Sequence, residues 1–177
     1  DKVLEACEKL FPIMLEFGLQ ARRRGHKRIF IPIHKGLDGF MSPKQFNTFF
    51  WPTLRRLIVS FIEAGLNPFV LWEGDCTSRL ETIADIPAGR AVYWFERTDI
   101  FRAKDILGET VCLRGNVPLS TLCAGTPDEV KAYCKKLIDA VGRNGGFIMD
   151  ASTVLDDAKP ENVRAMIDFT KEYGVYR

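Results

Sequence analysis

Apolar residues fall into two alternating rhythms along this chain. Short, nearly continuous runs have the length and the β-branched or aromatic content of strands: Ile29 to Ile33, Pro68 to Trp72, Ala91 to Phe95, Val111 to Gly115 and Gly146 to Asp150. Between them the apolar positions recur every three or four residues, as a helix with one buried face requires. Val3, Leu4, Cys7, Leu10, Phe11, Met14, Leu15 and Leu19 predict a helix over 2–24, interrupted at Pro12. Ser42-Pro43-Lys44-Gln45 combines an N-cap serine, a proline at the first helical position and a glutamine three residues on; that helix is expected to run to about Ala64 and stop at Gly65. Ser78 and Glu81 are spaced as a capping box for a helix over 78–86, and a short helix is expected near 99–106. Thr126-Pro127-Asp128-Glu129 opens another, with Val130, Cys134, Leu137, Ile138 and Val141 on one face. The last helix starts at Pro160 and carries Val163, Met166, Ile167 and Phe169.

Strict alternation of strand and helix predicts an α/β fold with a parallel sheet and outer helices. Because the strands read as continuous rather than alternating apolar runs, both of their faces are expected to be buried. No G-x-G-x-x-G follows the first strand and no phosphate-binding loop occurs, so a nucleotide-binding doubly wound sheet loses support. A (β/α)8 barrel needs about 200 residues or more. The expectation is therefore the C-terminal five β/α units of a TIM-type barrel, a single domain over 1–177 with the N-terminal part of the barrel absent.

Charge adds little: 25 basic residues stand against 23 acidic ones, so no global field points to nucleic acid or to a membrane surface. The cluster Arg22-Arg23-Arg24-Gly25-His26-Lys27-Arg28 reads as a solvated helix end, the cations facing the negative end of the helix dipole. Five widely spaced cysteines without a C-x-x-C pair argue for a reducing compartment, the cytoplasm, and against a disulfide framework or zinc ribbon. No apolar run approaches the ~20 residues of a membrane span.

Candidate chemistry gathers where strands end. If the strands are parallel, their C-terminal residues share one rim. Those residues are His34 with Asp38, Glu73 with Asp75 and Cys76, Glu96 with Arg97 and Asp99, Arg114 with Asn116, and Asp150 with Ser152. Such a set can hold a metal, move protons and bind an anion. Each member also has a plain structural reading. Glu73-Gly74-Asp75 can be a polar turn, His34 a hydrogen-bonded turn residue, Asp99 a helix cap and Asn116 a tie for the Pro118 turn. Arg114 at the end of an apolar strand needs a partner, which a ligand carboxylate or phosphate fills as well as Glu96 or Asp99. Cys76 precedes a helix start, where a thiolate is favoured, or else it simply packs. Trp51, Trp72 and Trp94 read as core or pocket wall.

Several segments together resemble the last third of the uroporphyrinogen decarboxylase superfamily: Leu113-Arg114-Gly115-Asn116-Val117-Pro118, Gly125 to Lys131, Gly145-Gly146-Phe147-Ile148, and Ala158 to Met166, with Met41 to Phe46 and Trp51-Pro52-Thr53-Leu54 upstream. The resemblance implies a (β/α)8 barrel and one of two activities. One is decarboxylation of a porphyrinogen in haem synthesis. The other is cobalamin-dependent methyl transfer in which zinc activates a thiol. The methyltransferases carry His-x-Cys-Gly where this chain reads Leu71-Trp72-Glu73-Gly74, and the third zinc ligand falls at or near Ser152, where the decarboxylases tend to have a His. Neither signature is intact, so a His/Cys/Cys zinc site is not supported. A carboxylate-containing site with Glu73 and His34, or Asp75, as ligands is the metal alternative.

The leading functional expectation is methyl transfer between a corrinoid and a small acceptor. In it Glu73 is metal ligand or general base, Asp75 its partner, and His34, Arg114, Asn116, Asp150 and Ser152 contact substrate; the cofactors are zinc and a cobalamin carried on a partner corrinoid protein. The alternatives are decarboxylation of a tetrapyrrole, with Arg114 pairing a carboxylate side arm, and a non-catalytic tetrapyrrole- or corrinoid-protein-binding module. Self-association, or pairing with the complementary barrel portion, is expected from exposed strand edges.

Overall fold

The structure is a computed structural model that describes residues 2–176. Five strands, β1 (Arg28–Ile33), β2 (Asn67–Trp72), β3 (Val92–Phe95), β4 (Cys112–Arg114) and β5 (Phe147–Ile148), form one sheet in the order β1-β2-β3-β4-β5. Every pairing is parallel. Strand order follows chain order without reversal, so the sheet has no topological switch point of the doubly wound kind. Connections between adjacent parallel strands are right-handed almost without exception, which sends the intervening helices to one side of such a sheet. This is the winding of a (β/α)8 barrel, and the five units form an arc of one.

Register shows which face is which. The side chains of Val70, Trp72, Tyr93, Phe95 and Leu113 are fully buried under the helices, and Ile33 nearly so. The intervening residues form layers on the opposite face: Phe30, Phe69, Val92 and Cys112 in one, and Pro32, Leu71, Trp94, Arg114 and Ile148 in the next. That inner face is only partly covered, and Phe30 is 55% exposed. The expectation of two buried faces thus holds for the helix side alone. The residues are mostly apolar on both faces because a barrel interior is also a core, and among the described residues the inner one is covered only in places, as at Leu71.

Helix α1 (Lys2–Arg23) runs through Pro12 without a break, against expectation. It lies along the next helix through Phe11 and Leu15 and through Gly18, where a Cβ would sit 2.2 Å from the Phe61 ring. Its outer side leaves Leu10, Ile13, Met14 and Phe17 exposed. The second helix, α2, starts at the Ser42–Gln45 capping box, passes through a π-helical turn at Phe46–Phe50, continues as Trp51–Glu63 and ends before Gly65 at φ +80°, as its sequence predicts. Arg22 Nε donates to Ala64 O at 3.1 Å, so part of the basic cluster ties the ends of α1 and α2 together. The cap of α4 (Ile100–Leu107) by Asp99 and the Thr126–Glu129 capping box of α6 (Pro127–Leu137) are also as expected.

Three elements differ from expectation. After β2 the chain makes a 3₁₀ turn (Thr77–Arg79) and one short helix, α3 (Leu80–Ile83), with no capping box; Glu81 instead pairs with Arg102 at 3.0 Å. β5 is two residues long, extended by a bridge between Val117 and Ala151. Helix α5 (Leu119–Ala124) is too short to leave a periodic signature in the sequence. It is held by the final helix α7 (Pro160–Tyr173), whose fully buried Asn162 Nδ2 lies 3.0 Å from both Leu122 O and Gly125 O. Replacing Asn162 with Ala removes a buried donor from two carbonyls that keep Lys159 N and Lys159 Nζ as their remaining partners, and a destabilisation of about 1 kcal/mol is expected in denaturant titration. An unchanged midpoint would show that the α5–α7 contact does not depend on this amide.

Candidate active site at the strand C-termini

The parallel ladder continues past the ends of the strands. Glu73 N donates to Ile33 O at 3.1 Å and Glu96 N to Trp72 O at 3.2 Å. His34, Glu73 and Glu96 follow Ile33, Trp72 and Phe95, which pack on the helix side, so alternation turns them to the inner face. The expected common rim therefore exists, but its residues divide into three groups.

The first group is His34 with Glu73: the imidazole Nδ1 contacts the Glu73 carboxylate directly, joining β1 to β2. His34 is 58% exposed and Glu73 31%, so the pair is open to a ligand on the inner side. A carboxylate on Nδ1 fixes the ring's orientation and leaves Nε2 for proton exchange.

Arg114 and Asp150 form the second group. Arg114 Nε and Nη2 lie 2.6 and 2.5 Å from Asp150 Oδ2, and the guanidinium stacks on Trp94 at 4.0 Å. Trp94 Nε1 in turn donates to Ala151 O at 2.9 Å, and Asp150 Oδ1 accepts from Ala151 N at 2.7 Å. The partner that Arg114 needs is thus Asp150, not Glu96 or Asp99. Among the described residues Nη1 has no hydrogen-bond partner, which leaves one arm of the fork for a ligand oxygen. Of the three tryptophans, Trp51 and Trp72 are core, while Trp94 forms part of the site wall.

The third group lines a cleft of about 450 Å³ between the turns that follow β3, β4 and β5. Thr98, Asn116 and Ser152, all buried, meet there. Asn116 Nδ2 donates to Thr98 O at 3.1 Å, and Tyr133 OH approaches Asn116 Oδ1 at 3.4 Å. Ser152 Oγ accepts from Leu119 N at 3.1 Å, so its hydroxyl proton is available to the cleft. Asn116 therefore braces the β3 turn rather than the Pro118 turn. Arg97 also lines the cleft but lies 4.0 Å from Glu96, a loose surface pair.

Two predicted site residues do other work. Asp75 Oδ1 accepts from Thr77 N at 2.8 Å and from Thr77 Oγ1 at 2.6 Å; it shapes the turn and makes no contact with Glu73. Cys76 is fully buried, and burial pushes its thiol up to about 12, with a hydrogen bond to Thr98 opposing the shift. The expectation of a favoured thiolate fails because the turn that follows is a single 3₁₀ turn and the sulfur faces the core. Gly74, between Glu73 and Asp75, is required: at φ +125° a Cβ would sit 2.6 Å from Leu37 Cδ1.

The donors do not fit a zinc ion. His34 and Glu73 spend their facing atoms on each other, and Ser152 stands where a third ligand is expected. No three His, Cys, Asp or Glu side chains converge among the described residues. One pairing was not legible beforehand: Arg79, 2% exposed, lies 2.9 Å from Asp38 and bridges the turns after β1 and β2. Its contacts are some 40 residues away in sequence, beyond any local pattern.

The state of Cys76 has a measurable consequence. A thiol whose folded-state value is raised from 9.0 to about 12 stabilises the fold fully below pH 9, and that contribution is lost as pH climbs toward 12. Iodoacetamide at pH 8 is expected to label the partly exposed Cys7 and Cys123 while sparing Cys76 until the protein unfolds, and Cys76→Ala is expected to flatten the alkaline loss of stability. Rapid labelling of native Cys76 would contradict this burial.

Comparison with known proteins agrees with the geometry. The sequence profile described as uroporphyrinogen decarboxylase (URO-D) matches residues 1–173. A uroporphyrinogen decarboxylase of Syntrophotalea carbinolica is 27% identical over 169 residues, 95% of this chain and 46% of that protein. One from Chlorobium phaeovibrioides is 34% identical over 109 residues, 59% of this chain and 30% of that one. A solved methyltransferase from Methanosarcina mazei superposes with a TM-score of 0.77 at 20% identity, covering 93% of this chain and 48% of that one. The chain thus spans less than half the length of these relatives. No helix among the described residues is long and apolar enough to cross a membrane. With the profile running through the whole sheet and into α7, the chain belongs to the uroporphyrinogen decarboxylase family.

Proposed function

We propose that this chain supplies the C-terminal half of the active site of a carboxy-lyase acting on a carboxylate-bearing tetrapyrrole of the uroporphyrinogen type. The observation that carries this reading is the His34–Glu73 pair standing at the same rim as the Trp94-stacked Arg114. Loss of CO2 from a side arm breaks a carbon–carbon bond and leaves its electron pair on carbon, which must then take up a proton. An imidazole oriented by a carboxylate is suited to deliver that proton from Nε2. Arg114 offers its free Nη1 to a second carboxylate of the same substrate. The names of the relatives favour the same choice.

Methyl transfer from a corrinoid was the leading expectation from sequence and is now the second reading. It rests on superfamily kinship and on Glu73 and His34 as metal ligands, which no third donor joins among the described residues. Stoichiometric zinc that disappears in Glu73→Ala would restore it.

The decisive measurement is carboxyl loss from uroporphyrinogen, followed by mass spectrometry under anaerobic conditions. His34→Ala and Glu73→Gln are each expected to lower turnover about 100-fold or more with the fold retained. Full turnover in both variants excludes the proton-transfer role. Binding of the tetrapyrrole without turnover points instead to a non-catalytic binding module.

The uncovered inner face around Phe30 and the open edge of β1, beside the exposed Leu10, Ile13 and Phe17 of α1, need a partner surface in the working protein. The chain by itself is expected to self-associate in sedimentation equilibrium and to become monodisperse when further barrel units complete it. A monodisperse monomer at high concentration contradicts this.

A further inference from the structure

We infer that Arg79 is a positioning residue that holds the two halves of the His34–Glu73 pair in contact, an inference that rests on reading that pair as proton-transfer machinery. His34 opens the segment after β1 and Glu73 the segment after β2. Arg79 lies in the second segment, and all of its partners lie in the first or in the helix it leads into. Its Nη2 donates to Leu37 O at 2.7 Å and Met41 O at 2.5 Å, its Nε lies 2.9 Å from Asp38 Oδ1, and the guanidinium stacks on Phe46 at 4.3 Å. Asp38 adds further stitches between the same segments: it accepts from Ser78 N at 2.9 Å and from Ser78 Oγ at 2.8 Å, and its own N–H donates to Asp75 O at 2.9 Å.

Stability alone gives little reason to keep a guanidinium here. Arg79 is 2% exposed, and its buried Nε and Nη1 have no hydrogen-bond partner among the described residues, the Asp38 contact being an ion pair without hydrogen-bond geometry. Buried ion pairs commonly stabilise no better than apolar side chains of equal volume. What the planar fork does, and an apolar or lysine side chain does not, is grip two carbonyls and a carboxylate at once and so set the spacing of two turns. The turns in question are the ones from which His34 and Glu73 project, and small displacements of proton-transfer groups are costly in rate.

The test uses Arg79→Lys and Arg79→Met in the same carboxyl-loss assay. Both are expected to cut turnover roughly 10- to 100-fold while KM stays within about twofold. Arg79→Met leaves Asp38 and the Leu37 and Met41 carbonyls without this partner and is expected to lower the denaturant midpoint, so turnover is compared in the range where both proteins are fully folded. In a Glu73→Gln background, either substitution is expected to cost nothing more, because the pair it positions is already disabled. Amide exchange gives a readout independent of substrate: the Asp38 and Ser78 N–H groups are expected to lose protection in Arg79→Met while α2 keeps its own. Additive losses in the double variants, or unchanged turnover in the single ones, overturn the positioning role. Retained protection of the Asp38 and Ser78 amides overturns it even where no turnover is detected. An inactive parent or a harmless Glu73→Gln overturns the proton-transfer reading itself, and the inference falls with it.

Discussion

The residue register of the five parallel strands is the constraint on which the rest of the structure depends. Because side chains alternate across a sheet, a shift of one residue in any pairing exchanges its two faces. In β2 that shift would bring Trp72 to the inner face and send Glu73 into the core. The register is held from the helix side, where Val70, Trp72, Tyr93, Phe95 and Leu113 are fully buried. Trp72 meets Tyr93 edge to face at 5.6 Å, and Tyr93 meets Phe95 the same way at 6.2 Å. Large aromatic rings tolerate a slip poorly, since each fills a pocket shaped for it. The polar rim is therefore positioned by apolar packing on the far side of the sheet.

Given that register, the charges at the mouth sort themselves by what each can reach. Glu73 meets the imidazole on the neighbouring strand, and Asp150 meets the guanidinium of Arg114. Asp75 and Asp38, which look equally available in the sequence, are taken by backbone N–H and hydroxyl groups of the turns. Asp38 also meets a guanidinium, that of Arg79, but this one is 2% exposed, whereas His34 and Arg114, the partners of Glu73 and Asp150, stand where a ligand can reach them. Proximity in sequence does not make this distinction. Glu73 and Asp75 stand two residues apart and do unrelated work.

Much of the architecture was legible because its determinants are local. Ser42-Pro43-Lys44-Gln45 and Thr126-Pro127-Asp128-Glu129 each declare a helix start through contacts within four residues, and both capping boxes form. Strand–helix alternation was enough to give the parallel sheet, and the strand ends gave His34, Glu73, Arg114 and Asp150 as neighbours on one rim. The failures have a common cause. Ser78-x-x-Glu81 has the same capping pattern, yet Asp38, far away in sequence, claims the serine. Cys76 looked like a helix-terminal thiol, but the turn after it rotates the sulfur against Thr98 and into the core. The Arg79 clamp has no signature within its own neighbourhood. Wherever a long-range partner outbids a local one, the sequence pattern remains and the structure departs from it.

The end of β2 also bears on which chemistry this branch of the family performs. A thiol-activating zinc centre needs three convergent N or S ligands with an open fourth position. Here Leu71 and Glu73 stand where the resemblance places His and Cys, and the alternation of the strand sets Leu71 on the inner face between Pro32 and Trp94. Glu73 is one layer higher, where water and ligand reach it, and its oxygen is used to orient an imidazole. A carboxylate–imidazole pair beside a half-satisfied guanidinium suits proton delivery to a carbon that has lost CO2. It has less to offer a thiol awaiting a methyl group, and that chemical asymmetry is why the decarboxylase reading stands first.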